Sequence, residues 1–471
     1  MRKDPVSRPR APDARTGGDA AFSWRFTAPL FIGSALNPIN SSLIATALVP
    51  IASGIDVSIG RTATLVSVLY VASTIAQPTA GKAAEVFGPR RVFAAGILLV
   101  LAGGLVGGFA SSLGPLLLAR VLIGFGTSCA NPTAMVLVRR RARAAGLTKP
   151  PGGVLGGLQI AGVATASLGL PIGGVLVELF GWRAVFFVNV PVALVALAAT
   201  LVWIPRDSAA QRSGDSIVSA LDVPGIVGFA AAMTTLLLFL SALPDPRWPI
   251  LVASAVLWGA LVAWELRART PFLDIRLLAR NRDLTRTYLR FAGVMLCSYI
   301  VLYGISQWVQ DAKGLSALLT GVLLLPMTLI SGIVTVPVSR RNLVRSPLVL
   351  AAITCGLAGV AVLLLPGPAW IAVTLIITVL LGFAQGAGGA SNTITLYTQA
   401  SDDQLGTASG LLRSFGYFGS IASSAIIGIV FRDHTDAAGV GVIGMVMIGA
   451  ALALLALTVF DRRRLPRVAS A

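Results

Sequence analysis

Polar and small side chains recur at intervals of four, three and four residues inside several long apolar stretches of this chain. Residues spaced in this way lie within about 60° of one another on an α-helix, so each set forms one face. The sets are Tyr70, Thr74, Gln77 and Gly81; Arg120, Gly124, Thr127 and Asn131; and Tyr299, Tyr303, Ser306 and Gln310. Another stretch carries Asn37, Asn40 and Ser41. Hydroxyls, amides and a guanidinium on such faces could bind a polar organic molecule.

These faces have two interpretations. They could line a water-filled central cavity, or they could join helices to one another, because small and polar residues also mediate helix packing in membranes. Packing is favoured for the individual serines, threonines and glycines, and both interpretations stay open for the glutamines and asparagines. Arg120 points to function, since an arginine inside a membrane costs at least about 2.5–3.5 kcal/mol to insert and normally faces water or a partner.

The elements that carry these faces are predicted to be transmembrane helices. The chain is 55% hydrophobic and 12% charged, whereas a soluble domain carries about 25% charged residues. Lipid must therefore cover much of the apolar surface, and backbone inside lipid must be helical. Fourteen spans are predicted, at 26–53, 62–81, 91–112, 114–137, 154–177, 184–204, 223–243, 248–265, 287–310, 316–337, 348–366, 369–397, 405–431 and 439–460.

The distribution of basic residues predicts the orientation of these spans. Most of the 37 lysines and arginines fall in alternate connecting segments, including the loops around 139–149 and 267–282. Positive charge concentrates on the cytoplasmic side of membrane proteins, so both termini are predicted to be cytoplasmic and the protein to be multi-pass in the inner (plasma) membrane. The net charge of +18 then reflects topology, and lipid rather than nucleic acid is the expected partner.

An internal duplication predicts a 6 + 2 + 6 arrangement. Leu122–Phe125 in span four resembles Leu380–Phe383 in span twelve, and a basic loop follows both span two and span ten. Paired halves around a midplane site are a transporter architecture. The predicted units are a flexible cytoplasmic tail (1–24), a six-helix bundle (25–205), two inserted helices with their loops (206–285), a second six-helix bundle (286–461) and a cytoplasmic tail (462–471).

The sequence contains no pattern of residues that is typical of an enzyme. The 19 aspartates and glutamates all lie in tails, loops or span ends, and the chain has no Walker-type loop and no metal-binding cluster of His and Cys. Cys129, Cys297 and Cys355 are expected to be packing thiols, and His434 to be a loop residue. We therefore expect no enzyme activity, no cofactor and no metal. A carrier coupled to protons usually needs a titratable carboxylate in its pathway, and none is evident.

Several motifs resemble those of the major facilitator superfamily, in particular its fourteen-helix drug:proton antiporter branch. The loop G-K-A-A-E-V-F-G-P-R-R resembles the superfamily signature G-x-L-a-D-r-x-G-x-r-r, and L-A-R-V-L-I-G-F-G resembles the span-four signature. E-L-R-A-R-T-P-F-L-D-I-R-L-L and W-V-Q-D-A-K-G-L-S-A are typical of the branch, and G-L-P-I-G-G resembles its antiporter motif. The order and spacing of these motifs, over nearly the whole chain, are specific.

The resemblance implies roles for two further sets of residues. The first set would form a cytoplasmic gating loop and comprises Gly81, Glu85, Gly88, Arg90 and Arg91. The second set would form the antiporter-motif helix and comprises Gly169, Pro171, Gly173 and Gly174. In the gating loop we expect Glu85 to pair with a cation or a helix N-terminus in one conformational state.

Departures from the family pattern put proton coupling and cationic-drug selectivity in doubt. The aspartate position of span one is Asn40, the aspartate position of the gating loop is Glu85, and the proline of the antiporter motif is shifted to Pro171. Asn40 cannot offset the charge of Arg120, so neutral or anionic compounds are expected to be preferred over dications.

The predicted function is secondary active export of small organic molecules, a drug or a secreted metabolite, by alternating access. The cavity candidates are Asn37, Asn40, Gln77, Arg120, Asn131, Tyr299, Tyr303 and Gln310. The expected partners are the small-molecule substrate, the lipid bilayer and, as a candidate coupling ion, the proton; a monomer is expected. The alternatives are a proton-independent facilitator or exporter of an anionic or neutral metabolite, and a membrane sensor that does not transport.

Overall fold

A computed structural model describes residues 22–147, 152–207, 222–242, 246–268, 271–272, 275–399, 405–432 and 435–460. These residues form long α-helices joined by short connections. The helices are α1 (Trp24–Gly54), α2 (Ile59–Phe87), α3 (Pro89–Gly108), α4 (Leu113–Ala144), α5 (Gly152–Phe180), α6 (Ala184–Trp203), α7 (Val223–Ser241), α8 (Trp248–Glu265), α9 (Arg282–Asp311), α10 (Ala317–Arg340), α11 (Arg345–Leu363), α12 (Trp370–Gln399), α13 (Leu405–Val430) and α14 (Ala437–Val459).

Several helices begin where a polar side chain accepts a hydrogen bond from the first turn. Asn281 accepts from the Leu284 amide at 3.0 Å before α9, and Ser316 accepts from the Leu319 amide at 3.3 Å before α10. Asp436 caps α14 by accepting from the Gly439 amide at 2.7 Å. Caps of this kind satisfy amides that have no partner within the helix.

Twelve helices in the described part of the chain are long and apolar enough to cross a membrane. The two remaining long helices, α5 and α13, coincide with predicted spans five and thirteen but are not among the twelve. The prediction of an all-α membrane protein is confirmed, and the count of fourteen spans stays a prediction.

Helix α9 departs from a regular α-helix in its middle. Residues Ile300–Ile305 form a π-helical segment that lies between two α-helical stretches. A π segment holds an extra residue per turn and turns the downstream helix relative to the upstream part, and such segments are frequent at functional sites. The prediction of an uninterrupted helix over 287–310 was therefore incomplete.

Burial separates central helices from peripheral ones. In α1, α2 and α9 the buried share of the apolar stretch is 67%, 72% and 67%, but in α7 and α8 it is 28% and 17%. Since helices that expose apolar side chains must face lipid, α7 and α8 lie at the periphery of the bundle. Phe229 of α7 packs against Phe418 of α13 with ring centroids 6.0 Å apart, which attaches this helix pair to the rest of the protein.

The same helix pairings occur twice, displaced by eight helices. The contacts of α1 with α5, α2 with α4, α3 with α4 and α3 with α6 recur as α9 with α13, α10 with α12, α11 with α12 and α11 with α14. We call α1–α6 the first helix group and α9–α14 the second. The two groups meet where α2 contacts α13 and where α5 contacts α10. These two contacts are equivalent to each other, because a shift of eight helices converts α2 into α10 and α5 into α13.

Candidate functional site

The two helix groups are tightly closed at one side of the bundle. We call this the far side, where α1 ends and α2 begins. A side chain at Gly60 of α2 would lie 2.6 Å from the carbonyl oxygen of Phe431, and one at Gly321 of α10 would lie 2.5 Å from that of Leu170. Only glycine permits so close an approach of two backbones. The far side is therefore sealed by direct backbone packing.

Four of the chain's six tyrosines meet at the interface between the groups. Tyr70 of α2 enters the second group, where it stacks on Tyr417 of α13 at 5.3 Å and meets Tyr299 of α9 edge-on at 5.2 Å. Tyr299 in turn stacks on Tyr303 at 5.5 Å. Aromatic pairs in these geometries contribute about 0.5–1.5 kcal/mol beyond their burial. We call these four residues the tyrosine cluster.

The hydroxyls of Tyr70 and Tyr303 form a chain of hydrogen bonds across the interface. Tyr303 donates its proton to the backbone carbonyl of Ser41 on α1 at 3.0 Å. A phenol has a single proton to donate, so in the 3.0 Å contact between Tyr70 and Tyr303 the donor is Tyr70. Both tyrosines are fully buried. The chain thus joins α2, α9 and α1, and it connects the two groups at the centre of the protein.

Arg120 of α4 lies beside this hydrogen-bonded pair and is 1% exposed. Its Nε donates to the Leu65 carbonyl at 3.1 Å, while its Nη2 has no hydrogen-bond partner among the described residues. The guanidinium is close enough to Tyr303 and Tyr70 to interact with both electrostatically. A buried charge normally carries a full set of partners, so this donor is available to a ligand or to water.

Below the tyrosine cluster, towards the side where α1 begins, two more side-chain pairs join the groups. Gln77 of α2 donates to the hydroxyl of Tyr417 at 2.6 Å. With its amide oriented so that the oxygen faces the guanidinium, Asn131 of α4 accepts from both terminal nitrogens of Arg413 on α13, at 2.6 and 2.8 Å. The predicted cavity residues Gln77 and Asn131 therefore both lie at the interface.

The other cavity candidates have different surroundings. Gln310 donates back to the hydroxyl of Ser306 at 3.2 Å, one turn earlier on α9. Asn37 donates to the Thr127 hydroxyl at 3.0 Å, which joins α1 to α4 within the first group. Asn40 donates to the side-chain oxygen of Asn189 on α6 at 2.7 Å. This contact joins α1 to α6 within the first group.

The antiporter-motif helix α5 packs through its glycines against two neighbours. A side chain at Gly169 would lie 2.6 Å from Cβ of Ser42, and one at Gly173 would lie 2.7 Å from the hydroxyl of Thr46. Both contacts are with α1. Gly174, on another face, contacts the backbone of Leu318 on α10 in the second group. These glycines, with Pro171 between them, bring α5 close to α1 and to the second group at once.

The gating loop contains an acidic partner that the sequence did not reveal. Asp207, after α6, accepts from the backbone amides of Arg90 and Arg91 at 3.1 and 3.0 Å, and thereby caps the N-terminus of α3. Gly88 precedes this turn with φ +97°, a conformation that favours glycine. The side chain of Glu85 lies outside the described residues, so its expected pairing stays a prediction. A side chain at Gly81 of α2 would lie 3.8 Å from Cβ of Pro132 on α4.

Sequence reasoning missed Tyr417, Arg413, Asp207 and Gln307. Gln307 is fully buried on α9, and neither its Nε2 nor its Oε1 has a hydrogen-bond partner in the part of the chain that the structure describes. Arg413 lies inside predicted span thirteen, and a charge within a span is a signal that could have identified it. Tyr417 could have been found by asking where the few tyrosines lie relative to span centres.

Comparison with known proteins identifies the family to which this architecture corresponds. The sequence profile described as "Major Facilitator Superfamily" matches residues 30–424. The uncharacterized MFS-type transporter YwoD of Bacillus subtilis is 32% identical over 432 residues, which cover 91% of this chain and 94% of that protein. The tetracenomycin C resistance and export protein of Streptomyces glaucescens is 29% identical over 428 residues, which cover 87% and 76% of the two chains.

Solved structures agree at the level of the fold. The nucleoside transporter NupG superposes with a TM-score of 0.62 at 12% identity, covering 92% of this chain and 99% of that chain. The inward open conformation of the xylose transporter XylE from E. coli gives 0.61 at 13% identity, covering 93% and 95%. The family predicted from the motifs is confirmed by the profile match and by the similarity to YwoD.

Proposed function

This chain belongs to the Major Facilitator Superfamily and is a secondary transporter rather than an enzyme, and from that premise we propose that it exports small neutral or anionic organic molecules by alternating access. The observation that carries the proposal is Arg120, a fully buried cation with a free donor beside the hydroxyls of Tyr70 and Tyr303. Every carboxylate of the sequence lies in a tail, a loop or a helix end. The pathway is therefore electropositive, and it disfavours dications.

The proposed architecture has fourteen spans in a 6 + 2 + 6 order with both termini in the cytoplasm. The recurrence of the same helix pairings eight helices later supports two equivalent groups, and the peripheral position of α7 and α8 supports their being an insertion. The concentration of lysine and arginine in alternate connections supports the orientation. In this orientation the sealed far side faces outward.

The tyrosine cluster is the proposed substrate site. Tyr70 comes from the first helix group, and Tyr299, Tyr303 and Tyr417 come from the second, so rocking of the groups must separate their rings. When Tyr70 moves away, the rings of Tyr299 and Tyr417 present flat aromatic surfaces with hydroxyls at their edge. Such a site suits a planar aromatic molecule that places an oxygen towards Arg120.

Export as the direction of transport is supported by named relatives. These include the tetracenomycin C resistance and export protein and, at 29% identity, the lincomycin resistance protein of Streptomyces lincolnensis. Tetracenomycin C and lincomycin are organic compounds, which supports an organic substrate for this chain. The alternative of a membrane sensor that does not transport is tested by measuring flux through the purified protein.

Flux in proteoliposomes tests the proposal. The probes share one ring system: 9-anthracenecarboxylate, its neutral carboxamide, and the dication 9,10-bis(aminomethyl)anthracene. The carboxylate and the carboxamide are expected to move, and the dication is expected to move at least about tenfold more slowly, because an unpaired buried charge repels it. Arg120→Gln should reduce transport of the carboxylate most. Efficient transport of the dication by the wild type would reject the proposed selectivity.

The mode of energy coupling has two candidates, an antiporter driven by protons and a facilitator that is independent of them. The absence of a mid-span carboxylate from the sequence favours the facilitator. In the same proteoliposomes, an imposed pH gradient should then leave the final accumulation of the neutral carboxamide unchanged. Accumulation that follows the gradient would identify an antiporter whose proton site is not a mid-span carboxylate.

A further inference from the structure

Arg413 is a cation within a long helix of the bundle. It lies eight residues after the start of α13, and its side chain is exposed. Arginine in a membrane helix faces water or a partner rather than lipid, and α13 is one of the helices that contact the other group. The exposed guanidinium therefore faces the water-accessible space between the two groups, on the side of the tyrosine cluster away from the sealed end.

The hydrogen-bond partner of Arg413 is the neutral amide of Asn131, although a guanidinium binds a carboxylate more strongly. Two nitrogens of the guanidinium converge on the one amide oxygen of Asn131, at 2.6 and 2.8 Å. A carboxylate offers the two nitrogens one oxygen each, and such charge-assisted hydrogen bonds are about twice as strong as neutral ones. Among the described residues Arg413 has no acidic partner. The ion pair that these residues form joins Arg286 to Asp283. Asn131 therefore occupies the place of an anion without neutralising the charge.

An aromatic surface lies one helical turn from this cation. Tyr417 follows Arg413 by four residues on α13, so the two side chains share a face of the helix. The ring of Tyr417 stacks on Tyr70, and its hydroxyl accepts from Gln77. A molecule that places a carboxylate on Arg413 would thus place a ring attached to it against the edge of the tyrosine cluster.

We infer that Arg413 binds the carboxylate of an aromatic acid and that this carboxylate takes the place of the Asn131 amide oxygen. The inference rests on the proposed transport function and specifies the substrate class: a planar aromatic monocarboxylate. Arg413 receives the acidic group from the side opposite the sealed far side, and the tyrosine cluster and Arg120 lie closer to the sealed side.

The exchange also removes a connection between the helix groups. Asn131 belongs to α4 of the first group and Arg413 to α13 of the second, so their hydrogen bonds hold the groups together at this level. A substrate that replaces Asn131 releases these bonds. A ligand shifts a conformational equilibrium only through a difference in its affinity for the two states, and competition for Arg413 provides such a difference for anions alone.

The test compares 9-anthracenecarboxylate with its carboxamide in proteoliposomes that contain the full-length protein. The readout is the ratio of kcat/KM for the acid to kcat/KM for the amide. Arg413→Gln is expected to lower this ratio about tenfold or more, mainly through KM of the acid, since a hydrogen bond to a charged group is lost. Asn131→Ala removes the competitor and is expected to raise the ratio. Asn131→Asp supplies a permanent carboxylate and is expected to abolish the preference for the acid.

A double variant that relocates the positive charge controls for a purely structural effect of Arg413→Gln. Arg413→Asn combined with Asn131→Arg moves the cation to the opposite wall of the same space, and it is expected to restore the acid preference that Arg413→Gln removes. An unchanged ratio in Arg413→Gln, or a wild type that transports the amide but not the acid, overturns the inference while transport itself stands. A wild type that transports no aromatic probe overturns the proposed function, and the inference with it.

Discussion

Removing the hydroxyl of Tyr303 should shift the protein towards a state that is open on the far side. Tyr303 donates to the Ser41 carbonyl and accepts from Tyr70, so Tyr303→Phe removes two hydrogen bonds between the helix groups, whereas Tyr70→Phe removes one. A hydrogen bond contributes about 0.5–1.5 kcal/mol net. The expected shift is about 1–3 kcal/mol for Tyr303→Phe, which is about 5- to 150-fold in the equilibrium, and half that free energy for Tyr70→Phe.

Distances between spin labels on the far side measure this equilibrium directly. Asp56 follows α1 and Lys313 follows α9, and both are exposed, so Asp56→Cys and Lys313→Cys place one label on each helix group. Cys129, Cys297 and Cys355 are free thiols and are replaced beforehand. The longer of two distance populations should grow in the order wild type, Tyr70→Phe, Tyr303→Phe.

Tyr288→Phe provides the matched control. The hydroxyl of Tyr288 donates to the Ala408 carbonyl at 3.1 Å, and both residues belong to the second helix group. Its loss should lower stability without changing the distance between the groups. Equal populations in Tyr303→Phe and in the wild type, or a shift in Tyr288→Phe as large as in Tyr303→Phe, would refute the reasoning.

Five other variants test the gating loop and the glycine contacts. Asp207→Ala removes the cap of α3 and should cost about 0.5–2 kcal/mol of unfolding free energy in detergent, measured by chemical denaturation. Gly174→Val places a side chain against the Leu318 backbone and should lower export, whereas Gly449→Val, with open space around it, should not. Gly88→Val strains a positive φ and should reduce flux at normal expression, as should Glu85→Gln; full flux in both removes the gating role.

The helices and their polar faces could be predicted from the sequence because both depend on local spacing. Predicted span two, at 62–81, lies inside the longer helix Ile59–Phe87, since a helix continues into water beyond its apolar stretch. Tyr299 and Tyr303 were assigned to one face from their spacing of four, and they do stack on one another. Arg120 was singled out from the cost of burying a charge, and it is fully buried beside the tyrosines.

Contacts between distant segments could not be predicted in this way. Tyr70 and Tyr417 are separated by more than three hundred residues, and only the arrangement of the two helix groups brings them together. Asn40 was interpreted through its own span, but its partner Asn189 lies on α6. The π segment Ile300–Ile305 has no marker in composition, and it depends on the packing around α9.

A cross-link between the helix groups tests alternating access most directly. The hydroxyl of Ser67 on α2 donates to that of Ser424 on α13 at 2.8 Å, both residues are buried, and they lie between the tyrosine cluster and the sealed far side. In a background without the native cysteines, Ser67→Cys with Ser424→Cys should form a disulfide that stops flux in proteoliposomes. Reduction should restore flux, and each single variant should be insensitive to oxidant. Undiminished flux through the fully cross-linked protein would contradict a pathway that opens between these two groups.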